Sequence, residues 1–182
     1  MTTALASAVE LLERSLGYTR VALAGVTEAR LAAPTPCRDW TLRDLLAHME
    51  DSLDAFTEAA GGSVALRPTR AGPRVVVLQQ KACALLGLWS RARPSGVRVG
   101  GVDLATDLLV ATAALEITVH GWDVAQATGA ATPIPDDLAR HLLPVAHGTV
   151  SPEDRGIRFA AALPDLVEAT ADVRLRAFLG RG

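Results

Sequence analysis

The residues best equipped for chemistry lie in LEITVHGWDVAQATG, where Glu116 and His120 stand four apart, on one helical face and one turn from each other. Around them Leu108, Leu109, Val110, Ala113, Ala114, Leu115, Ile117 and Val119 are apolar, and no Lys or Arg occurs from Val99 through Ala139. Glu116 therefore has no local cation. A carboxylate in such a helix must be exposed, protonated or compensated from elsewhere, because unpaired burial costs several kcal/mol. A metal ion meets that demand. The pair taken alone also fits a solvated i,i+4 contact that contributes only ~0.3 to 0.5 kcal/mol.

A third donor is His48, within DLLAHMEDSLDAF. Leu42, Leu45, Leu46, Met49, Leu53 and Phe56 form the apolar stripe of that segment, and His48 falls on its flank, roughly 120° from the stripe's centre at ~100° per residue. Alone, a rim histidine reads as a surface or hydrogen-bonded side chain. With Glu116 and His120 it completes two imidazoles and one carboxylate. Three protein ligands leave a coordination position open, which is the arrangement of catalytic zinc rather than of a closed structural site.

Further residues have both a chemical and a plain reading. Asp123, three after His120, can accept a hydrogen bond from a ligand imidazole and orient it, or can pair with a basic side chain or tether a loop. Cys37, just before the His48 segment, can serve as a fourth ligand or a nucleophile, or simply pack; Cys83, among Ala82, Ala84, Leu85 and Leu86, reads as core. His141 and His147, six apart, do not share a helical face and read as surface residues. Arg67, Arg70, Arg74, Arg91, Arg93 and Arg98 can frame an anionic substrate or the carboxylates of a thiol cofactor, or stand solvated. Asp44 lies four before His48, where its capping role already accounts for it.

Positioning these groups requires helices, and five are legible from apolar spacing, with no convincing period-two alternation for strands. The first, about Ala4 to Val26, places Val9, Leu12, Leu16 and Val21 near one face, and a Pro-punctuated connector follows. Thr41 and Asp44 form a capping box for the second, with Trp40 and Leu45 at hydrophobic-staple positions; it runs to about Ala60, where Gly61 and Gly62 stop it. The third spans Arg74 to Arg93. Asp103 caps a long fourth helix ending at Gly129, and a fifth runs from Pro135, as first helical residue, to near Gly148. Ala171 to Leu179 can form a short helix in an otherwise broken tail. The expected class is all-α: a four-helix bundle over a single domain, residues 1–182, with an additional C-terminal helix and an irregular tail packed across it.

The motifs Thr35-Pro36-Cys37, Asp39-Trp40-Thr41, Leu45-Leu46-Ala47-His48 and Glu116-Ile117-Thr118-Val119-His120-Gly121-Trp122-Asp123 resemble the DinB-like metal-binding proteins related to mycothiol-dependent maleylpyruvate isomerase. The stretch RLRAFLGR, Arg174 to Arg181, resembles the closing motif of their short, single-domain members. The resemblance implies a divalent metal on His48, Glu116 and His120, usually zinc, with nickel, iron or manganese as other occupants. It also implies mycothiol or a similar low-molecular-weight thiol as cosubstrate. The metal would lower the pKa of the thiol sulfur and present a thiolate to an electrophile, for addition, group transfer or isomerisation. With no separate C-terminal domain, maleylpyruvate itself is not the expected substrate. The competing functions are non-haem iron chemistry on the same His/His/carboxylate set, a recruited enzyme of secondary metabolism, and a metal-containing binding protein without turnover.

The composition narrows the partners. A length of 182 residues, 49% apolar and 21% charged, supports one folded domain rather than disorder. A net charge of -2 without a Lys/Arg run argues against nucleic acid. Glu10 and Glu13 interrupt what a signal peptide would need as an apolar stretch, and the run Leu108 to Val119 falls short of the ~20 residues of a membrane span. Two cysteines suit free thiols in a reducing cytoplasm. The abundant alanine and single lysine, Lys81, fit a GC-rich actinobacterial host that makes such a thiol. The expected partners are a small-molecule substrate and a thiol, with a homodimer left open and neither nucleic acid nor membrane.

Overall fold

The computed structural model describes residues 3–60, 74–91, 96–99, 102–164 and 168–182. Among the described residues, apolar periodicity and end signals produce six α-helices: α1 (Thr3–Leu23), α2 (Leu42–Ala59), α3 (Arg74–Trp89), α4 (Thr106–Thr128), α5 (Asp136–Thr149) and α6 (Ala171–Phe178). The class is all-α and DinB-like. Helix α1 lies along α4, α2 packs against both α3 and α4, and α5 bridges α4 and α6.

Helix α4 is the axis of the core. Leu109, Val110, Ala113, Ala114, Ile117, Val119, Trp122, Val124 and Ala125 are all buried, and the stretch from Ala113 to Ala125 is covered on every side rather than along one stripe, while Leu108 in the first turn is exposed. By length and hydropathy this helix could cross a membrane, yet 78% of the stretch is buried within the protein. Its first partner comes close. Thr19 Oγ1 of α1 donates to the Ile117 carbonyl at 2.8 Å, and a Cβ at Gly121 would fall 2.4 Å from the same hydroxyl oxygen. The helix ends where Gly129 takes a left-handed conformation, φ 70°, as expected from its position.

The start of α2 also agrees with its sequence signals. Thr41 and Asp44 form the reciprocal capping box, and Leu42, Leu45, Leu46, Met49 and Leu53 are buried with Phe56 partly so. Lys81 of α3 lies 3.0 Å from buried Glu50 and 2.5 Å from Asp54, tying α3 to α2.

Several expectations need correction. Val21 is 60% exposed, because nine residues after Leu12 a step of ~100° per residue brings it round to the opposite side. Asp103 does not cap α4. It belongs to an antiparallel pair, β1 (Val97–Val99) and β2 (Val102–Leu104), and Ala105 occupies the cap position. Val97, Val99, Val102 and Leu104 around Gly100-Gly101 form a hairpin pattern too short to stand out against the helices. Pro135 is the residue before α5 rather than its first. Cys83 is exposed rather than core, since α3 turns its apolar face inward through Leu78 and Leu85 instead. The proposed stop at Gly61 and Gly62, with Arg67, Arg70, Arg93 and the side chain of Arg98, lies outside the described residues.

Candidate metal centre

His48, Glu116 and His120 come together where α2 faces α4. His48 Nε2 lies 2.7 Å from Glu116 Oε1, and His120 Nε2 lies 3.2 Å from the same oxygen. Their potential ligand atoms are all within 4.8 Å of one another. Ligands ~2 Å from one ion in a tetrahedral set stand ~3.3 Å apart, so this donor set is of the right kind and spacing for a divalent cation. The rim position of His48 leaves it half-buried, with 36% of its side chain exposed against 9% for His120. The open side of the centre therefore lies towards His48.

Each donor is held by a neighbour. Ser52, one turn after His48, donates to Glu116 Oε1 at 3.3 Å. His120 Nδ1 faces Asp123 Oδ2 at 2.9 Å, which makes Nδ1 the protonated donor and turns Nε2 towards Glu116. Asp123 in turn accepts two bonds from Arg181, from Nε to Oδ1 and from Nη2 to Oδ2, each 2.8 Å. Both readings of Asp123 thus hold, because one carboxylate orients the imidazole and pairs with a basic side chain. Cys37 donates its thiol to Asp123 Oδ2 at 3.2 Å, with Arg181 Nη2 3.6 Å from its sulfur.

A second convergent group, Cys37, His120 and Asp123, also exists. It is the poorer host. Asp123 is already neutralised bidentately by Arg181, and His120 cannot turn Nδ1 away from Asp123 without losing that bond.

Electrostatics follow from the packing. Burial pushes the Glu116 carboxyl up, but the charges of His120 and His48 and their hydrogen bonds prevail and hold it well below the usual carboxylate range. Burial depresses the His120 imidazolium, and the opposed Glu116 charge together with bonds to Asp123 and Cys37 raises it well above the ordinary histidine value. Burial raises Asp123 too, yet the His120 and Arg181 contacts bring it down to about 2. Glu116 and His120 thus form a partly buried ion pair.

Sequence reasoning missed three contributors. Trp40, placed as a staple residue, sets its ring over both imidazoles, with centroids 4.9 Å from His48 and 6.5 Å from His120. Ser52 carried no signal beyond its position one turn from His48. Arg181 entered only through a closing motif, although a buried Asp123 in a stretch without cations is itself a signal that one must arrive from elsewhere. His141 and His147 stay outside the centre, bonded to the Asp137 carbonyl and packed on Phe178. Arg74 and Arg91 do not line the adjoining cavity.

Comparison with known proteins places the chain in a family. Residues 12–125 match the family model described as the mycothiol maleylpyruvate isomerase N-terminal domain. Two uncharacterised proteins of Mycobacterium tuberculosis, from two strains, are each 30% identical over 165 residues, which covers 87% of this chain and 89% of theirs. A crystal structure of a histidine-to-alanine variant of mycothiol-dependent maleylpyruvate isomerase superposes with a TM-score of 0.57. It covers 80% of this chain and 70% of that one at 15% identity, a likeness of fold.

Proposed function

Since the chain belongs to the mycothiol maleylpyruvate isomerase N-terminal domain family, we propose that it is a divalent-metal-dependent cytoplasmic enzyme, a thiol-dependent transferase or isomerase acting on a small electrophile. Mycothiol or a similar low-molecular-weight thiol is its cosubstrate. The observation that carries the reading is the convergence of His48 Nε2, Glu116 Oε1 and His120 Nε2 on one point with an open side.

His48, Glu116 and His120 would hold the ion, with zinc favoured by two imidazoles and a carboxylate. A bound cation there supplies a lowered thiol pKa, so that the sulfur is a nucleophile at neutral pH. The chain's own residues do the rest. Asp123 fixes the tautomer and ring plane of His120, and Arg181 keeps Asp123 ionised. Ser52 orients the Glu116 carboxylate. Trp40, itself partly exposed, lies beside the two imidazoles and borders the open side of the centre.

The deciding experiment pairs metal analysis with a mycothiol titration and a panel of electrophiles. About one divalent ion per chain, lost in His120→Ala, with thiol-dependent turnover, is the expected result. Unchanged metal content in His120→Ala removes the centre. Retained metal with neither thiol binding nor turnover transfers the protein to the class of binding proteins.

A further inference from the structure

A cavity of about 470 Å³ opens between α1 and α3 and ends against Glu116 and His120. That volume is in the range of pockets that enclose whole small molecules. Its walls include Leu16, Leu23, Met49, Leu53, Leu78 and Leu86, drawn from α1, α2 and α3. Polar groups gather mainly at the two ends, with Thr19 and Gln79 as further polar lining. Glu13, Gly17 and Arg20 of α1 and Cys83 of α3 are exposed at the mouth, while Ser52 meets Glu116 and His120 at the inner end. Among the described residues, Arg20 is the one cation in the lining, and it stands at the mouth.

We propose that this cavity is the electrophile-binding site, and that it selects an uncharged, hydrocarbon-rich molecule whose reacting carbon sits at the Glu116 and His120 end and whose tail runs out between α1 and α3. A small diacid is the wrong occupant. Held at the inner end, a short diacid would set its second carboxylate against leucine side chains and away from Arg20 at the mouth, at the cost of an unpaired buried charge. Apolar tails gain instead, because each methylene leaves water for the leucine wall. His48, on the open side of the centre, does not line the cavity, which leaves the Trp40 side for the polar thiol. The assignment of the inner end as the reacting end rests on the metal and thiol reading above; the selection for apolar tails rests on the cavity itself.

The test uses the purified protein with its metal content measured in the same samples, and the straight-chain alcohols from butanol to octanol, with succinate as a diacid of butanol's carbon number, too short to reach Arg20 from the inner end. Calorimetric titration is expected to show affinity rising about fourfold per methylene, from ~0.8 kcal/mol each, until the cavity is filled. Succinate is expected to bind at least tenfold more weakly than butanol. Gly17→Phe introduces a ring at the mouth, where a Cβ meets nothing within 4 Å; it is expected to weaken octanol at least tenfold with metal content and thermal midpoint unchanged. Affinity flat in chain length, succinate equal to butanol, or full octanol binding in Gly17→Phe would overturn the proposal. Failure of the metal reading appears separately, as wild-type protein without metal, while the alcohol series is read either way.

Discussion

Arg181, beyond the last helix, grips both carboxylate oxygens of Asp123 at 2.8 Å, and through that carboxylate fixes His120 at the centre of the molecule. Both partners are buried, so the pair is a desolvated, bidentate bridge that connects the chain after α6 to the middle of α4.

Removing the guanidinium leaves Asp123 buried without its counter-charge. Arg181→Ala is expected to lose about 3 to 5 kcal/mol of stability, the usual result of breaking one side of a buried pair. Metal affinity should fall 10- to 100-fold as the second partner of His120 loosens. Arg181→Lys should recover only part of either, because a single ammonium cannot match the two-pronged contact. Chemical denaturation and metal titration of the two variants measure both effects.

The same bridge sets an acid limit. Asp123 is held at about 2, below the 3.8 of a free carboxyl, so its contribution is fully present above pH 4 and is lost as pH falls through 2. The drop corresponds to about 2 kcal/mol. In urea denaturation the stability gap between the wild type and Asp123→Asn should therefore narrow by about that amount between pH 4 and pH 2. A constant gap would show that the carboxylate gains nothing from its partners.

Metal uptake should release protons. His120 is raised well above 6.5 in the metal-free protein, so at pH 7 its imidazolium must give up a proton to become a ligand, while Glu116, held low, has none to lose. Titrations in buffers of different ionisation enthalpy are expected to show about one proton released per ion. Apparent affinity should fall about tenfold for each unit of pH lowered below the raised value. An uptake with no proton release at pH 7 would contradict the ion pair between Glu116 and His120.

The crossing of α1 and α4 tolerates no extra atom at Gly121. Gly121→Ala places a Cβ against the Thr19 hydroxyl, and overpacking of this kind costs about 1 to 3 kcal/mol despite the better helix propensity of alanine. The melting temperature should drop accordingly. Glu116 and His120 flank this crossing, so the variant should also bind metal less tightly.

Local order determined much of what is seen. The i,i+4 spacing of Glu116 and His120, the absence of nearby cations, the Thr41 capping box and the apolar stripe of α2 are consequences of backbone geometry within a few residues, and each is visible in the chain as written. The antiparallel pair Val97–Val99 and Val102–Leu104 was also present as a pattern, though a three-residue strand is too short for periodicity to distinguish it from a cap and its helix. Tertiary structure decided the rest: that Arg181 reaches Asp123 across 58 positions, that Trp40 lies over two imidazoles, that Cys83 faces outward and that a leucine-walled cavity ends at the ligands. Spacing along a helix fixes which side chains share a face, but which faces meet depends on the packing of whole helices, and no local pattern carries that information.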